Sequence, residues 1–161
     1  MIRTIVTNRK ISLFALLFAG FAMAIVSGLI GGNQPAAAAG ECGSSYVLRK
    51  SAPINQNESR TGTLEVYWSS SAGKNCAIAR CYGVSCGAGV YRVAKIKLSG
   101  QANYPTSGSG TDSGWFYQFA GPVYSPASGN SCIDAYGSNS IYYGGKFQYY
   151  GSTELKRILC S

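Results

Sequence analysis

Thr63-Leu64-Glu65-Val66-Tyr67-Trp68-Ser69, then Ser70-Ser71-Ala72-Gly73-Lys74-Asn75, then Cys76-Ala77-Ile78-Ala79-Arg80-Cys81-Tyr82 form the stretch from which the fold is read. In the first part Leu64, Val66 and Trp68 fall on one face and Glu65 and Tyr67 on the other, the period of two that belongs to a strand. The small polar middle reads as a hairpin turn. The third part resumes the alternation, with Cys76, Ile78, Arg80 and Tyr82 set against Ala77, Ala79 and Cys81.

Outward from this hairpin the same texture continues. Val90 to Leu98 alternates Ala94, Ile96 and Leu98 with Lys95 and Lys97, and the glycine-rich segment from Gly83 to Gly89 leads into it. A cysteine near each end of that connection could be bridged across the hairpin mouth. Gln101 to Ser113 is rich in Ser and Gly, lacks periodicity and is expected to be a mobile surface loop. Trp115 to Tyr124 is an aromatic strand interrupted at Gly121-Pro122, where the missing N–H argues for an edge or a bend. Asn130 to Tyr136 and Ile141 to Tyr150 add further strands, and Ser152 to Cys160 reads as a last strand or a helical turn. The expected fold is all-β: a single small disulfide-bonded antiparallel β-sandwich or barrel after an N-terminal signal helix.

That signal occupies residues 1–39. Arg3, Arg9 and Lys10 precede an apolar run from Ile11 to about Ile30, followed by a Gly-Pro break and the alanines 36–39. This is the order of an export signal. Cleavage is expected after Ala39, with one residue earlier as the other site that satisfies the small-residue rule. The rival is an uncleaved anchor, since about 20 apolar residues can cross a bilayer; the Gly-Pro break and the alanines disfavour it. Glu41 before Cys42 excludes lipid attachment, which needs a small residue there. Residues 40–161 then form one secreted domain, and no stable membrane insertion is expected after cleavage.

All six cysteines lie in this part, an even number suited to an oxidising compartment. Histidine is absent from the chain and no C-x-x-C occurs, so three disulfides are expected and neither metal nor cofactor. Without histidine, Ser-His-Asp and Cys-His catalysis are excluded. For glycoside cleavage Glu65 with Asp112 or Asp134 is the pair to consider, each more naturally an exposed strand or turn residue. The expectation is a protein that is not an enzyme. After the leader, eleven Lys and Arg face six Asp and Glu, a net charge of +5, and the basic residues are dispersed, so no nucleic-acid partner is expected.

The compositional excess is aromatic. All 12 tyrosines follow the leader. Tyr and Trp faces stack on sugar rings, and Trp115, Tyr117, Tyr142, Tyr143, Tyr149 and Tyr150 are candidate ligand-stacking aromatics for a cell-wall polysaccharide. Filling a pleated β surface is the plainer role of each ring.

Several segments together resemble the spore-associated protein A family of small secreted actinobacterial proteins. They are Glu41-Cys42-Gly43-Ser44-Ser45-Tyr46, Gly62 to Tyr67 with Gly73-Lys74-Asn75-Cys76, Asp112 to Val123 with its Ala-Gly-Pro-Val ending, Cys132 and Cys160. The resemblance implies secretion and association with the spore or cell surface, with no catalytic role. This chain departs from the pattern in adding Cys81 and Cys86 and in carrying Ile133-Asp134-Ala135-Tyr136-Gly137 after Cys132. On that resemblance the added cysteines pair with each other, and the expected remainder is Cys42–Cys160 and Cys76–Cys132. A hydrolase inhibitor presenting the loop Gln101 to Ser113 is the less favoured reading.

Overall fold

A computed structural model of the chain describes residues 39–87, 90–129, 131–143 and 145–160, and for 39, 84, 141–143 and 147–150 the backbone alone. The leader expected at 1–39 therefore lies outside the described residues but for its last one.

The chain is all-β. After one helical turn, Ala39–Cys42, come β1 (Val47–Gln56), β2 (Ser59–Ser69), β3 (Lys74–Cys81), β4 (Val90–Leu98), β5 (Thr111–Trp115), β6 (Phe119–Tyr124), β7 (Ile133–Tyr143) and β8 (Lys146–Ile158). All pairings are antiparallel, and one sheet runs in the order β5-β4-β7-β8-β1-β2-β3-β6. Its two halves meet at a single backbone pair, Asn55 with Ser152. The free edges nearly close the sheet, because the Tyr124 N–H donates to the Ser109 carbonyl (2.6 Å) and the Gly121 N–H to Asp112 Oδ2 (2.7 Å). Of the two expected architectures the structure is the barrel. Pro122 follows a cis bond in edge strand β6, where its lost donor breaks no central ladder.

Inside lies an apolar core of Ile54, Leu64, Val66, Ala77, Ala79, Ala94, Ile96, Ala120, Val123, Ile133 and Ala135. The expected phases place Leu64 and Val66, Ala77 and Ala79, and Ala94 and Ile96 in it. The outer face of β2 and β3 is also covered: Tyr67, Cys76 and Ile78 pack beneath Cys42 and Tyr46. The N-terminal turn is held there by the Cys42–Cys76 disulfide and by Arg80, whose Nη1 and Nη2 reach Glu41 Oε1 and Oε2 at 3.2 and 2.7 Å.

This packing corrects two of the expected disulfides. The bridges are Cys42–Cys76, Cys81–Cys86 and Cys132–Cys160. Cys42 does not staple the chain ends, because the turn that carries it folds back onto the neighbouring meander. Cys160 meets Cys132 at the base of the β7–β8 hairpin instead, their Cα atoms 4.1 Å apart. The expected Cys81–Cys86 pairing is present.

One further expectation changes, and one alternative is decided. Thr111 to Ser113 belong to strand β5, and the preceding loop is pinned rather than mobile. The Ile96 N–H donates to the Gly110 carbonyl (2.9 Å), the Leu98 N–H to Gln101 Oε1 (3.0 Å) and the Tyr104 hydroxyl to Glu154 Oε1 (2.9 Å). Ser152 to Ile158 continue β8 without a helical turn, and no helix among the described residues is long and apolar enough to cross a membrane.

Candidate functional site

Antiparallel connectivity gathers four connections at one end of the barrel: the β1–β2 turn, the segment after β3, the β5–β6 link and the β7–β8 turn. Among the described side chains, three rings stand out into solvent here. Tyr82 is 52% exposed, Trp115 50% and Tyr117 69%, whereas Tyr67 is 1% exposed. Trp115 lies opposite Tyr91 in the ladder and meets its ring edge-on, with centroids 5.6 Å apart. Tyr91 in turn lies opposite Ser140, and Ser140 opposite Tyr149, so the backbone carries this row across four strands.

Connectivity brings these segments to one end, and Arg92 fixes them to one another. It occupies the interior phase of β4, with Ala94 and Ile96, and is 0% exposed. Its Nε donates to the Phe116 carbonyl (3.0 Å), Nη1 to Asn139 Oδ1 (3.0 Å) and Nη2 to the carbonyls of Tyr117 (3.2 Å) and Ser85. One planar fork thereby ties the β5–β6 link to the 3-10 turn Gly83–Ser85. Burial is what pulls the Arg92 pKa down, to about 10, which leaves it a cation at neutral pH. No carboxylate pairs with it among the described residues.

A polar layer extends from this fork. Asn139 lies opposite Arg92 in the β4–β7 ladder and gives its Nδ2 to the Thr61 carbonyl (2.9 Å), which also accepts from the Tyr82 N–H (3.2 Å) and the Ser85 hydroxyl. The Cys81 N–H donates to the Gln118 carbonyl (2.8 Å), and the Cys81–Cys86 bridge closes the turn covalently. Gly62 makes room for the layer, since a Cβ there would stand 2.5 Å from Asn139 Nδ2 and 2.6 Å from the Arg80 carbonyl. The exposed rings thus rest on a fixed backbone.

Trp115 and Tyr117 are the two proposed stacking aromatics whose side chains are described. Tyr142 and Tyr143 stand at the end of β7, and Tyr149 and Tyr150 in β8 close to the same hairpin, but their side chains lie outside the described residues. Tyr82 and Arg92 were not among the sequence candidates. Arg92 was legible in principle, because it shares the phase of Ala94, Ile96 and Leu98, where a charge is out of place.

The three carboxylates considered for glycoside cleavage are engaged in other contacts. Glu65 Oε2 accepts from Tyr67 (2.7 Å) and Arg80 Nε (3.2 Å), and the Asp112 side chain holds the Gly121 amide. Asp134 Oδ1 accepts from the Ser99 hydroxyl (2.5 Å) and the Arg157 N–H (2.9 Å), with Lys97 Nζ 3.6 Å from its other oxygen. At the opposite end of the barrel two open clefts flank the Cys132–Cys160 bridge. One of about 350 Å3 is lined by Arg49, Trp68, Gly129, Leu159 and Cys160, and one of about 530 Å3 includes Ser99, Ser131, Lys156 and Arg157.

No family model matches the chain, and no solved structure matches it. Among curated proteins it is similar to spore-associated protein A of Streptomyces coelicolor, with 33% identity over 95 residues, which is 59% of this chain and 54% of that protein. The chain spans about half the length of this curated relative. The resemblance read from the sequence and this similarity point to the same protein.

Proposed function

We propose that the chain is an exported, non-catalytic protein held at the surface of the spore or cell. The similarity to spore-associated protein A carries this reading. The leader with its alanine cleavage site supports export, with cleavage after Ala39 leaving residues 40–161 as the working domain. Three disulfides among six cysteines suit an oxidising exterior. The absence of histidine from the sequence and the commitment of Glu41, Glu65, Asp112, Asp134 and Glu154 to structural partners favour binding over catalysis. Fractionation tests it: the protein belongs in the culture fluid and the surface wash, and recovery in the cytosol alone overturns the assignment.

A second reading specifies what holds it there. The exposed rings of Tyr82, Trp115 and Tyr117 on a rigid frame favour a module that grips cell-wall polysaccharide, because stacking faces with polar tips bind sugar rings without cleaving them. Neither cofactor nor nucleic acid enters this reading. The purified domain is expected to sediment with insoluble peptidoglycan or chitin in moderate salt, and to lose that retention in Trp115→Ala. Absence of retention on every glycan tested ends the second reading and leaves the first standing.

A further inference from the structure

We infer that Tyr82 and Arg60 complete the aromatic end and that its ligand is an acidic polysaccharide, a chain of sugar rings bearing carboxylates. This rests on the polysaccharide reading and names the ligand class for that site. Tyr82 belongs to the surface of Trp115 and Tyr117 because the backbone beside it is tied to theirs. The Cys81 amide bonds the Gln118 carbonyl, and Arg92 Nη2 takes the carbonyls of both Ser85 and Tyr117.

Over the Tyr82 ring lies the guanidinium of Arg60, its central carbon 4.5 Å from the ring centroid. Arg60 is exposed but anchored, with Nε donating to the Gly62 carbonyl (3.2 Å) and Nη2 to Thr63 Oγ1. A cation stacked on an aromatic ring and bonded from behind is preorganised, so less side-chain entropy is lost when it takes a ligand.

Its charge is also uncommitted. Arg80, Lys97 and Lys156 each pair with a carboxylate, but among the described residues none pairs with Arg60. A single planar fork beside stacking rings matches a sugar that offers an apolar face and one carboxylate. A neutral glycan would use the rings and leave the guanidinium unmatched, and a polyphosphate would use the charge and leave the rings unmatched.

The test uses the purified domain with its disulfides intact, titrated with oligogalacturonate and with the same oligomer fully methyl-esterified. The acid form is expected to bind about fivefold more tightly than the ester at low salt, as one exposed charge contact allows, with the gap closing at about 1 M salt. Arg60→Gln should remove that gap, Arg60→Lys should restore part of it, and Tyr82→Ala should weaken both oligomers. A cooperative thermal unfolding transition close to that of the parent protein shows that the variants are folded. Equal affinity for acid and ester, or an Arg60→Gln variant that keeps the preference, overturns the acidic ligand. Tighter binding of a glycerol-phosphate oligomer of equal charge overturns the carboxylate. If neither galacturonate form binds, the acidic ligand is overturned, and retention on peptidoglycan or chitin decides the polysaccharide reading separately.

Discussion

At Arg92 the fold buries a cation whose four acceptors are all neutral, three backbone carbonyls and the Asn139 amide oxygen. Burial disfavours the charge, so the hydrogen bonds must compensate for lost hydration without help from a carboxylate. Replacing Arg92 with Met would strand those acceptors, each unsatisfied group costing on the order of 1–3 kcal/mol, so the variant should lose about 3 kcal/mol or more in urea unfolding. Arg92→Lys keeps a charge but not the fork, and should recover only part of that loss. A fully stable Arg92→Met would show that the fork does not hold this end together. Other residues set the pH limits. The Tyr67 phenol is raised by burial and then by its bond to Glu65, and that of Tyr104 by burial and then by Glu154. Both hold their protons more tightly folded than unfolded, so the stability they confer is whole below the ordinary value of 10.0 and is lost as pH climbs above it. Arg92 acts the other way above about pH 10, and Tyr67→Phe separates the two by flattening the alkaline loss. Burial alone would raise Asp134, but the Arg157 N–H, the Ser99 hydroxyl and Lys97 outweigh it and hold the carboxyl below its ordinary 3.8. Its contribution is therefore whole above that value and lost as pH falls below it. Urea midpoints should fall at both extremes, with the acid limb shallower in Asp134→Asn; an acid limb unchanged in that variant contradicts the assignment.

Among the elements, legibility followed burial. Strands β2 and β3 could be read because Leu64, Val66, Ala77 and Ala79 alternate into the core. Strand β1 could not: Val47 to Gln56 contains Pro53 and several polar residues, and Ile54 is its one buried position. It is a strand because both neighbours supply ladder partners, although β8 does so at only one residue. The disulfide register was likewise out of reach, since it depends on the N-terminal turn folding over β3 through Glu41 and Arg80. Burial opposes the Arg80 charge, but the carboxylates of Glu41 and Glu65 outweigh it and raise its pKa. These connections predict a ranking. Sequence separations of 34 and 28 for Cys42–Cys76 and Cys132–Cys160, against 5 for Cys81–Cys86, correspond to about 3.5–4 kcal/mol each and about 2 kcal/mol by loop entropy. Cys→Ser pairs should lower thermal stability in that order. Non-reduced peptide mapping should recover Cys42 linked to Cys76; a Cys42–Cys160 peptide refutes the arrangement.

The domain formed by the described residues is a nearly closed sheet whose two ends differ. One end carries exposed rings over the polar layer of Arg92, Asn139 and Thr61, and the other carries the Cys132–Cys160 bridge between two clefts. The all-β class was legible because alternation and turn residues recur along the chain. Which aromatics would meet was not, since that follows from connections between strands far apart in sequence. The proposed function requires an exported domain, cut after Ala39 and braced by three disulfides, that resides at the surface. Intact mass of the protein washed from whole cells or spores, before and after reduction, tests it most directly. The account predicts residues 40–161 less six hydrogens, with all six regained on reduction. A mass that still includes the leader, or one that reduction leaves unchanged, would contradict it.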